Sequence, residues 1–299
     1  MSDLRRTDVV LVTNSDPQLH DPESPVLAGA LEAAGITTEI VAWDAGVDWT
    51  AYRLALLRST WDYPGRLVEF LDWAKAVNHP TTLLNPVDLL RWNSHKGYLV
   101  EIERRGVPTV PTVLIPAEST DVVAQLAECP WDEVVVKPAV GCGGRRVHRG
   151  RPDDPALQQT ARALAEHGDV VVQAFAPQVS QGERSLVFFD GVYSHAVRKV
   201  PAEGDYLCHE HHGGSAHFHD ADSAELRVAL AALACVPAEP AYARVDLINW
   251  QDAPVVIELE LIEPDLFLRG DPDRIDRLVG VVASRLRATA GAVGAAETR

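Results

Sequence analysis

The stretch VVVKPAVGCGGRRV, from Val134 to Val147, places a lysine at the end of a short apolar run and follows it with a glycine-rich loop. The valines before Lys137 predict a buried strand, and Pro138 cannot donate to a sheet ladder, so the strand should deliver Lys137 to an edge. Glycines let a backbone approach a ligand closely, with N–H groups free to point at anionic oxygens. The glycines are Gly141, Gly143 and Gly144, and Arg145 and Arg146 follow them. Together these features predict a phosphate-binding loop.

Neither of the two familiar phosphate loops fits this stretch. A Walker loop needs G-x-x-x-x-G-K-[ST], whereas here the lysine precedes the glycines. A dinucleotide fingerprint needs G-x-G-x-x-G, but Arg146 occupies the third position after Gly141 and Gly143. A surface hairpin with a basic tip is the alternative that this segment alone leaves open.

Composition narrows the class of protein. Of 299 residues, 46% are hydrophobic and 23% are charged, which is typical of a soluble globular chain with room for two or three domains. The net charge of −16 disfavours non-specific binding to nucleic acid or to an anionic membrane, so any anion must be held by a local site. A small-molecule ligand is therefore expected, and a homo-oligomer is compatible with the sequence.

Cysteine usage and apolar runs predict a cytoplasmic protein. The four cysteines form no C-x-x-C pair, which indicates neither a disulfide framework nor a cysteine zinc site and fits a reducing compartment. No segment approaches the roughly 18 apolar residues of a membrane span. The run Val9–Val12 is too short for a signal-peptide core and predicts a first strand instead.

Three regions with different patterns follow one another along the chain. In residues 1–92 strands alternate with helices, which predicts a parallel sheet covered on both faces. Residues 93–175 are expected to form a compact module that contains the glycine loop and begins with a helix, capped by Asn93 or Ser94 and ending at Arg105. Residues 176–299 are richer in strands. The predicted fold class is α/β, with a parallel α/β domain followed by two α+β units.

The segment AYARVDLINWQDAPVVIELELIEPDLF, Ala241 to Phe267, predicts a hairpin with one apolar and one charged face. The apolar face is expected to carry Val245, Leu247, Val255, Ile257, Leu259 and Leu261. The charged face is expected to carry Arg244, Asp246, Glu258 and Glu260.

A hairpin centred on Asp252 would set Asp246 opposite Glu258 and Arg244 opposite Glu260. Opposed side chains stand roughly 5 Å apart at Cβ, so unpaired like charges there would repel and need a compensating cation. Carboxylate oxygens of this kind suit magnesium, which often shares phosphate oxygens with its ligands. A solvated sheet face neutralised by Arg244 is the alternative, and a register slip of one residue would remove the geometry.

In this order and spacing the motifs resemble the ATP-grasp superfamily, in its glutathione-synthetase-like branch, across nearly the whole chain. The resemblance rests on Lys96 in WNSHK, Lys137 in VVVKP, the loop AVGCGGRRV, VVVQAF, GERSLVFFDG, ARVDL and IELELIEP. It implies an ATP-grasp architecture, in which two α+β subdomains after the N-terminal domain clasp ATP.

The resemblance also implies roles for individual residues. Lys96, in a helix, and Lys137 would contact ATP phosphates beneath the closing glycine loop. The adenine would be held at a hinge formed by Gln173, Ala174 and Phe175, with Glu183 near the ribose or the substrate. Magnesium, or manganese in its place, would be bound by Asp246, Glu258 and Glu260.

The chemistry that the resemblance implies is activation of a carboxylate as an acyl phosphate, which an amine then displaces. Such catalysis depends on positioning and charge neutralisation and needs no side-chain nucleophile. By their positions in the motifs, Arg244 and Arg198 are the candidates to steady the transferred phosphate.

The chain departs from the branch at GDYLCHEHHGG, Gly204 to Gly214, where Leu207 and His209 stand in place of an arginine and an amide residue. That arginine usually helps bind the acyl substrate, so the pocket is expected to be unusual, with His209 as a candidate catalytic residue. The length, this segment and RSTWDY, Arg58 to Tyr63, are most similar to the cyclo-ligases that form D-cycloserine. The resemblance then implies that O-ureido-D-serine closes into a ring on its own activated carboxylate, with loss of carbon dioxide and ammonia.

Other functions stay open from the residues alone. An ordinary amino-acid or peptide ligase would share all the nucleotide motifs. A zinc hydrolase could use the dense histidines at His209, His211, His212, His217 and His219, although they do not form H-E-x-x-H. A nucleotide-binding module without catalysis is the third alternative. In RSTWDY, the side chains of Arg58, Trp61 and Tyr63 could line the substrate side or simply end a core strand.

Overall fold

The computed structural model describes residues 6–208 and 213–296, with side chains as far as residue 289. Three sheets organise the described chain, and they follow one another in sequence. Within these ranges, no helix combines the length and the apolarity that crossing a membrane would need.

The first sheet is parallel throughout. Its strands are β1 (Thr7–Thr13), β2 (Thr38–Ala42), β3 (Tyr52–Ser59) and β4 (Thr82–Leu84). They are arranged in the order β2-β1-β3-β4. Helices pack over it and bury β1 and β3, namely α1 (Ser24–Ala33), α2 (Leu67–Val77) and the C-terminal α8 (Pro272–Ala296). The predicted parallel sheet in the first region is confirmed.

The second sheet is antiparallel and carries the opening stretch. Its strands are β5 (Thr112–Ile115), β6 (Val134–Pro138), β7 (His148–Gly150) and β8 (Val170–Ala174), in the order β5-β8-β6-β7. Helices α5 (Val122–Ala127) and α6 (Pro155–Ala165) pack on it around a small apolar core. The glycine loop joins β6 to β7.

The third sheet is antiparallel and has five strands in the order β11-β10-β9-β12-β13. They are β9 (Glu183–Phe189), β10 (Val192–Val200), β11 (Ser215–His219), β12 (Tyr242–Trp250) and β13 (Ala253–Glu260). Helix α7 (Ser223–Leu233) covers one face, together with two helices that precede the second sheet, α3 (Val87–Asn93) and α4 (Tyr98–Arg104). The domain boundaries at residues 92 and 175 stay a prediction.

The single helix expected from Asn93 or Ser94 to Arg105 is wrong, because the chain forms α3 and α4 with a turn between them. Asn93 ends α3 and donates to Leu259 O at 2.7 Å while its Oδ1 accepts from Leu261 N at 2.8 Å. Its amide is therefore used to hold the chain around the end of β13 and is not available as an N-cap.

The hairpin of β12 and β13 has the predicted register at its charged end and a bulge further on. The register shifts between Asp246 and Leu247, so that Leu247 pairs with Val256 and the turn lies at residues 251–252. One extra residue in β13 reverses the alternation of its side chains. Val256 consequently joins Val245 in the core under α7, whereas Val255 and Ile257, expected on that face, belong to another apolar cluster.

Candidate active site

Acidic side chains converge on the face of the third sheet opposite α7. Asp246 pairs with Glu258, and Arg244 pairs with Glu260, as predicted. Val245 and Leu247 lie in the core under α7, so strand alternation directs Arg244 and Asp246 to the other face. Asp246 is only 2% exposed, so the alternative of a solvated sheet face is wrong for this residue.

Cations from two strands neutralise Asp246. Arg244 contacts it twice, Nε to Oδ1 and Nη2 to Oδ2, both at 2.9 Å, and its Nη2 also contacts Glu260. Lys199 of β10 donates to Asp246 Oδ2 at 2.7 Å and lies 3.0 Å from Glu183 Oε2. Because an isolated buried carboxylate would be costly, this arrangement makes Asp246 the centre of a charge network.

Lys96 reaches the same cluster from the first half of the chain. It lies in the turn between α3 and α4, so its predicted helical position is wrong. Its backbone N–H donates to Ala139 O at 2.8 Å, which fixes it beside the strand that carries Lys137. Its Nζ lies 3.0 Å from Glu258 Oε1 and also donates to Gly141 O in the glycine loop. The structure thus brings together Lys96, the loop and the acidic hairpin.

Lys137 is buried at the end of β6 and donates to Gln173 Oε1 at 3.3 Å. Burial lowers the pKa of Lys137, and the neighbouring charge of Lys96 adds to this effect although Glu258 opposes it. A desolvated ammonium whose hydrogen-bond partner is a neutral amide would be strongly stabilised by an anion. This is the property that a phosphate-binding lysine requires.

The carboxyl groups of the cluster differ in charge. Burial alone would raise the pKa of Asp246, but Arg244 and Lys199 hold it well below its usual range. Burial would also raise the pKa of Glu258, yet Lys96 and Lys137 lower it to about 2. For Glu260 burial prevails, and with the repulsion of Asp246 and Glu258 it raises the pKa to about 7. A further cation near Glu260 would therefore relieve existing repulsion.

The carboxylate oxygens of Asp246, Glu258 and Glu260 are ligands of the type that a divalent cation such as magnesium prefers. Within residues 6–208 and 213–296, no three His, Cys, Asp or Glu side chains form a ready-made metal site. The described carboxylates are instead paired with Lys96, Lys199 and Arg244. Asp246, Glu258 and Glu260 as metal ligands stay a prediction.

The expected adenine hinge lies where β8 leaves the second sheet. Gln173 is buried there and also donates to Thr112 Oγ1 at 3.1 Å, so its side chain supports Lys137 from inside the sheet. The N–H of Phe175 donates to Glu133 O at 3.0 Å, and the guanidinium of Arg149 lies 3.5 Å from the Phe175 ring. Ala174 is buried beside them. Adenine binding by residues 173–175 stays a prediction.

The glycine loop reaches across to the first region. Gly143 and Gly144 have positive φ of 63° and 68°, a conformation that glycine adopts without strain. Cys142 Sγ and Arg145 Nη1 both approach Trp61 O, at 3.2 and 3.5 Å. The glycine loop therefore contacts the RSTWDY segment through Cys142 and Arg145, while the carbonyl of Gly141 binds Lys96.

Arg198, one of the predicted catalytic residues, lies away from the cluster. Arg198 is exposed and lies on the α7 face of β10, because it alternates with the buried Lys199. The structure therefore places Arg198 on the face away from the cluster, and Lys199 is the cation that this strand supplies to it. His209 lies outside the described residues, as do His211 and His212.

Sequence reasoning missed Lys199 and Ser185, whose hydroxyl donates to Asp246 Oδ1 at 2.6 Å. The signal was present in VYSHAVRKV, where apolar Ala196 and charged Lys199 belong to opposite alternation sets. Of the predicted zinc ligands in the described chain, His217 contacts Ser215 and His219 contacts Glu225.

Comparison with protein families matches two parts of the chain. Residues 9–85 match the N-terminal domain of the D-cycloserine synthetase DcsG, and residues 106–237 match the ATP-grasp domain of prokaryotic glutathione synthetase. Among characterised proteins, the cycloserine biosynthesis protein DcsG of Streptomyces lavendulae is 36% identical over 296 residues, covering 93% of this chain and 99% of that protein. Glutathione synthetase of Rhodopseudomonas palustris is 28% identical over 174 residues, which are 58% of this chain and 54% of that enzyme.

Solved structures give the same result. The crystal structure of the D-cycloserine synthetase DcsG superposes with a TM-score of 0.83 at 34% identity, covering 93% of this chain and 99% of that one. D-alanine–D-alanine ligase from Bacillus anthracis, complexed with ATP, superposes with a TM-score of 0.67 at 14% identity over 95% of this chain and 99% of that one. The second likeness concerns the fold alone.

Proposed function

The chain belongs to the D-cycloserine synthetase family of ATP-grasp ligases, and from this premise we propose that it converts O-ureido-D-serine to D-cycloserine at the expense of ATP. The observation that carries the proposal is the meeting of Lys96, Lys137 and the glycine loop with the acidic hairpin. One half of that site suits the phosphates of ATP, and the other suits the metal that accompanies them.

The proposed first step is phosphorylation of the substrate carboxylate. A carboxylate oxygen attacks the γ-phosphorus, the bond from that phosphorus to the β–γ bridging oxygen breaks, and ADP leaves. Lys96 and Lys137 would bind the phosphates, and Lys199 and Arg244 would offset the charge that develops on the transferred group. Asp246, Glu258 and Glu260 would hold Mg²⁺ or Mn²⁺, which supplies neutralisation of phosphate charge and a template for the two reactants.

Ring closure would follow without a protein nucleophile. The oxygen-bound nitrogen of the ureido group attacks the acyl carbon and gives up its proton, the carbon–oxygen bond to phosphate breaks, and phosphate leaves. Loss of the carbamoyl group as carbon dioxide and ammonia consumes one water. The protein would then act by orienting the substrate in a site that the glycine loop closes, because the rate of an intramolecular attack depends most on the orientation of the two reacting groups.

The proposal also covers the domain organisation, the adenine site, the cellular location and the size of the substrate. Three units bounded near residues 92 and 175 would clasp ATP, with adenine held at residues 173–175 and Glu183 near the ribose or substrate. A cytoplasmic location is supported by four free cysteines, Cys129, Cys142, Cys208 and Cys235. A small amino-acid-like substrate is supported by the modest space beside the cluster.

The test is phosphate release from Mg-ATP by the purified chain, with products identified by mass. O-ureido-D-serine, O-ureido-L-serine and pairs of ordinary amino acids are supplied separately. We expect turnover with the D enantiomer and a product of the mass of cycloserine. Turnover that requires two amino acids would indicate a carboxylate–amine ligase, and ATP binding without turnover would indicate a silent nucleotide-binding module. Stoichiometric zinc that survives dialysis would favour the hydrolase alternative.

A further inference from the structure

In the segment that follows β13, Ile262–Leu268, six of the seven backbone carbonyl groups are bound by side chains from elsewhere in the fold. Side chains donate to its carbonyl groups as follows: Tyr242 to Ile262 O, Trp61 to Glu263 O, Arg58 to Pro264 O, Arg244 to Asp265 O, His195 to Leu266 O and Arg274 to Phe267 O. The buried carboxylate of Glu23 accepts from the N–H groups of Leu266 and Leu268. A loop held by so many elements is preorganised, and preorganised segments are typical of ligand-binding positions.

This segment forms one wall of a cavity of about 160 Å³. Two carboxylates line the cavity, Asp265 from the segment and Glu23 from the start of α1, and Arg269 and Arg274 line it further along the chain. Phe218 of β11, whose side chain is 74% exposed, stands at its edge. The cavity therefore offers both signs of charge, as a zwitterion requires.

The cavity adjoins the acidic cluster. Asp265 O accepts from Arg244 Nη1 at 3.1 Å, and the same guanidinium binds Asp246 and Glu260. Val197 lines the cavity and is two residues from Lys199 on β10, so both face the same side, about 7 Å apart along the strand. A small molecule in the cavity would thus lie next to the place proposed for phosphoryl transfer.

The two carboxylates of the cavity repel one another. Burial, and then the charge of Asp265, raise the pKa of Glu23 to about 7, although the ion pair with Arg58 at 3.0 Å opposes this. Asp265 is half-buried, and its Oδ1 accepts from Phe267 N at 2.8 Å. An organic cation between these carboxylates would relieve the repulsion and use their remaining acceptor capacity.

We propose that Asp265 and Glu23 form the subsite for the α-ammonium group of the substrate, with its carboxylate directed toward Arg244 and Lys199. The inference rests on the proposed function in that it concerns the same site, and it names the substrate class as α-amino acids with a free amino group. Asp265 is then a specificity-determining residue, and acids that lack the amino group are rejected because its carboxylate would be left without a cation.

The experiment compares binding of two probes by two proteins in a double cycle. The probes are O-ureidoserine and its analogue without the amino group, and the proteins are wild type and Asp265→Asn, with Mg²⁺ and a non-hydrolysable ATP analogue present. Asparagine keeps an acceptor for Phe267 N, so the segment should hold its conformation. Calorimetry is expected to show that wild type binds O-ureidoserine 10- to 100-fold more tightly than the analogue, about the value of one hydrogen bond to a charged group. The variant should lose most of this difference.

Asp190→Asn is the matched control, because Asp190 is a surface carboxylate paired with Arg285 and its left-handed backbone tolerates asparagine. It should leave both affinities unchanged. Equal weakening of both probes by Asp265→Asn would mean that Asp265 only supports the loop, and no change with either probe would remove it from the site; both results overturn the inference. If wild type turned over no ureidoserine, the proposed function would fail, whereas amino-selective binding that depends on Asp265 would still support the subsite.

Discussion

Arg198 and Lys199 are neighbours in the chain and lie on opposite faces of β10, which permits a matched test of the charge network. Lys199→Met leaves Asp246 and Glu183 without their shared ammonium, so we expect the rate of phosphate release to fall at least about 100-fold. Arg198→Met changes the same charge on the exposed face and should retain nearly the full rate. Steady-state phosphate release measures both variants. A larger loss in Arg198→Met would restore the role that sequence reasoning gave to that arginine.

Asp246 is expected to combine a catalytic and a structural role. Asp246→Asn removes the charge that Arg244 and Lys199 share, so turnover should fall at least about 100-fold and stability by about 3 kcal/mol, since two buried cations lose their partner. Turnover, nucleotide affinity and urea unfolding are measured on the same preparation. Asp252→Asn, at the exposed turn of the hairpin, is the control and should match wild type. Normal turnover in Asp246→Asn would remove this residue from the metal site.

At the scale of single elements, the glycine loop is expected to bind ATP through its backbone, and this can be tested by changing the backbone conformation. Gly144→Ala puts an alanine at φ 68°, which costs roughly 1–2 kcal/mol and should distort the loop over the phosphates. Gly35→Ala, at φ 78° in an open position after α1, has a similar backbone cost far from the site. Both variants should lose similar stability in thermal unfolding, but only Gly144→Ala should raise the KM for ATP. An unchanged KM would mean that the loop does not bind ATP.

The elements show what local sequence can and cannot predict. The charged end of the β12–β13 hairpin followed from alternation, because a face that buries valine and leucine fixes the register. The bulge beyond Asp246 could not be predicted, since Val255, Val256 and Ile257 are equally apolar and any of them could be the extra residue. The break between α3 and α4 was missed for a different reason. Asn93 binds β13 backbone more than 160 residues away, and no local pattern encodes such a partner.

At the scale of the whole molecule, the candidate site depends on three sheets brought together. The second sheet supplies Lys137, and the third supplies Asp246. Lys96 lies in a turn between them and contacts both sheets, since its N–H binds Ala139 beside β6 and its Nζ binds Glu258 of β13. Motif spacing predicted which residues would meet, because those motifs resemble a known family. The preorganised segment Ile262–Leu268 was not predicted, since its partners come from β3, α1, β10, β12 and α8 and become neighbours only in the folded chain.

His195 links the pH of the solution to the stability of this assembly. Its Nε2 contacts Leu266 O at 2.9 Å, and a carbonyl only accepts, so Nε2 carries a hydrogen and donates it, while Nδ1 lies 2.9 Å from Ser194 Oγ. Burial, together with the charges of Arg274 and Arg277, lowers its pKa from 6.5 to about 4. Between these values the unfolded chain binds the extra proton, so stability contributed by His195 is complete above pH 6.5 and is lost as pH falls toward 4.

The free energy of unfolding is expected to fall by at most about 3 kcal/mol through this titration. Substitution of His195 separates this contribution from the titration of carboxylates. His195→Gln keeps a donor for Leu266 O but does not titrate, so wild type minus variant isolates the histidine. Urea unfolding between pH 7 and pH 4 should show this difference shrinking as the pH falls, because only in wild type does the ring at position 195 take up a proton when the chain unfolds. His217→Gln, at an exposed position of β11, is the control for replacing a histidine by glutamine. A difference that stays constant with pH would show that His195 holds the segment by its hydrogen bond alone and that its protonation does not contribute.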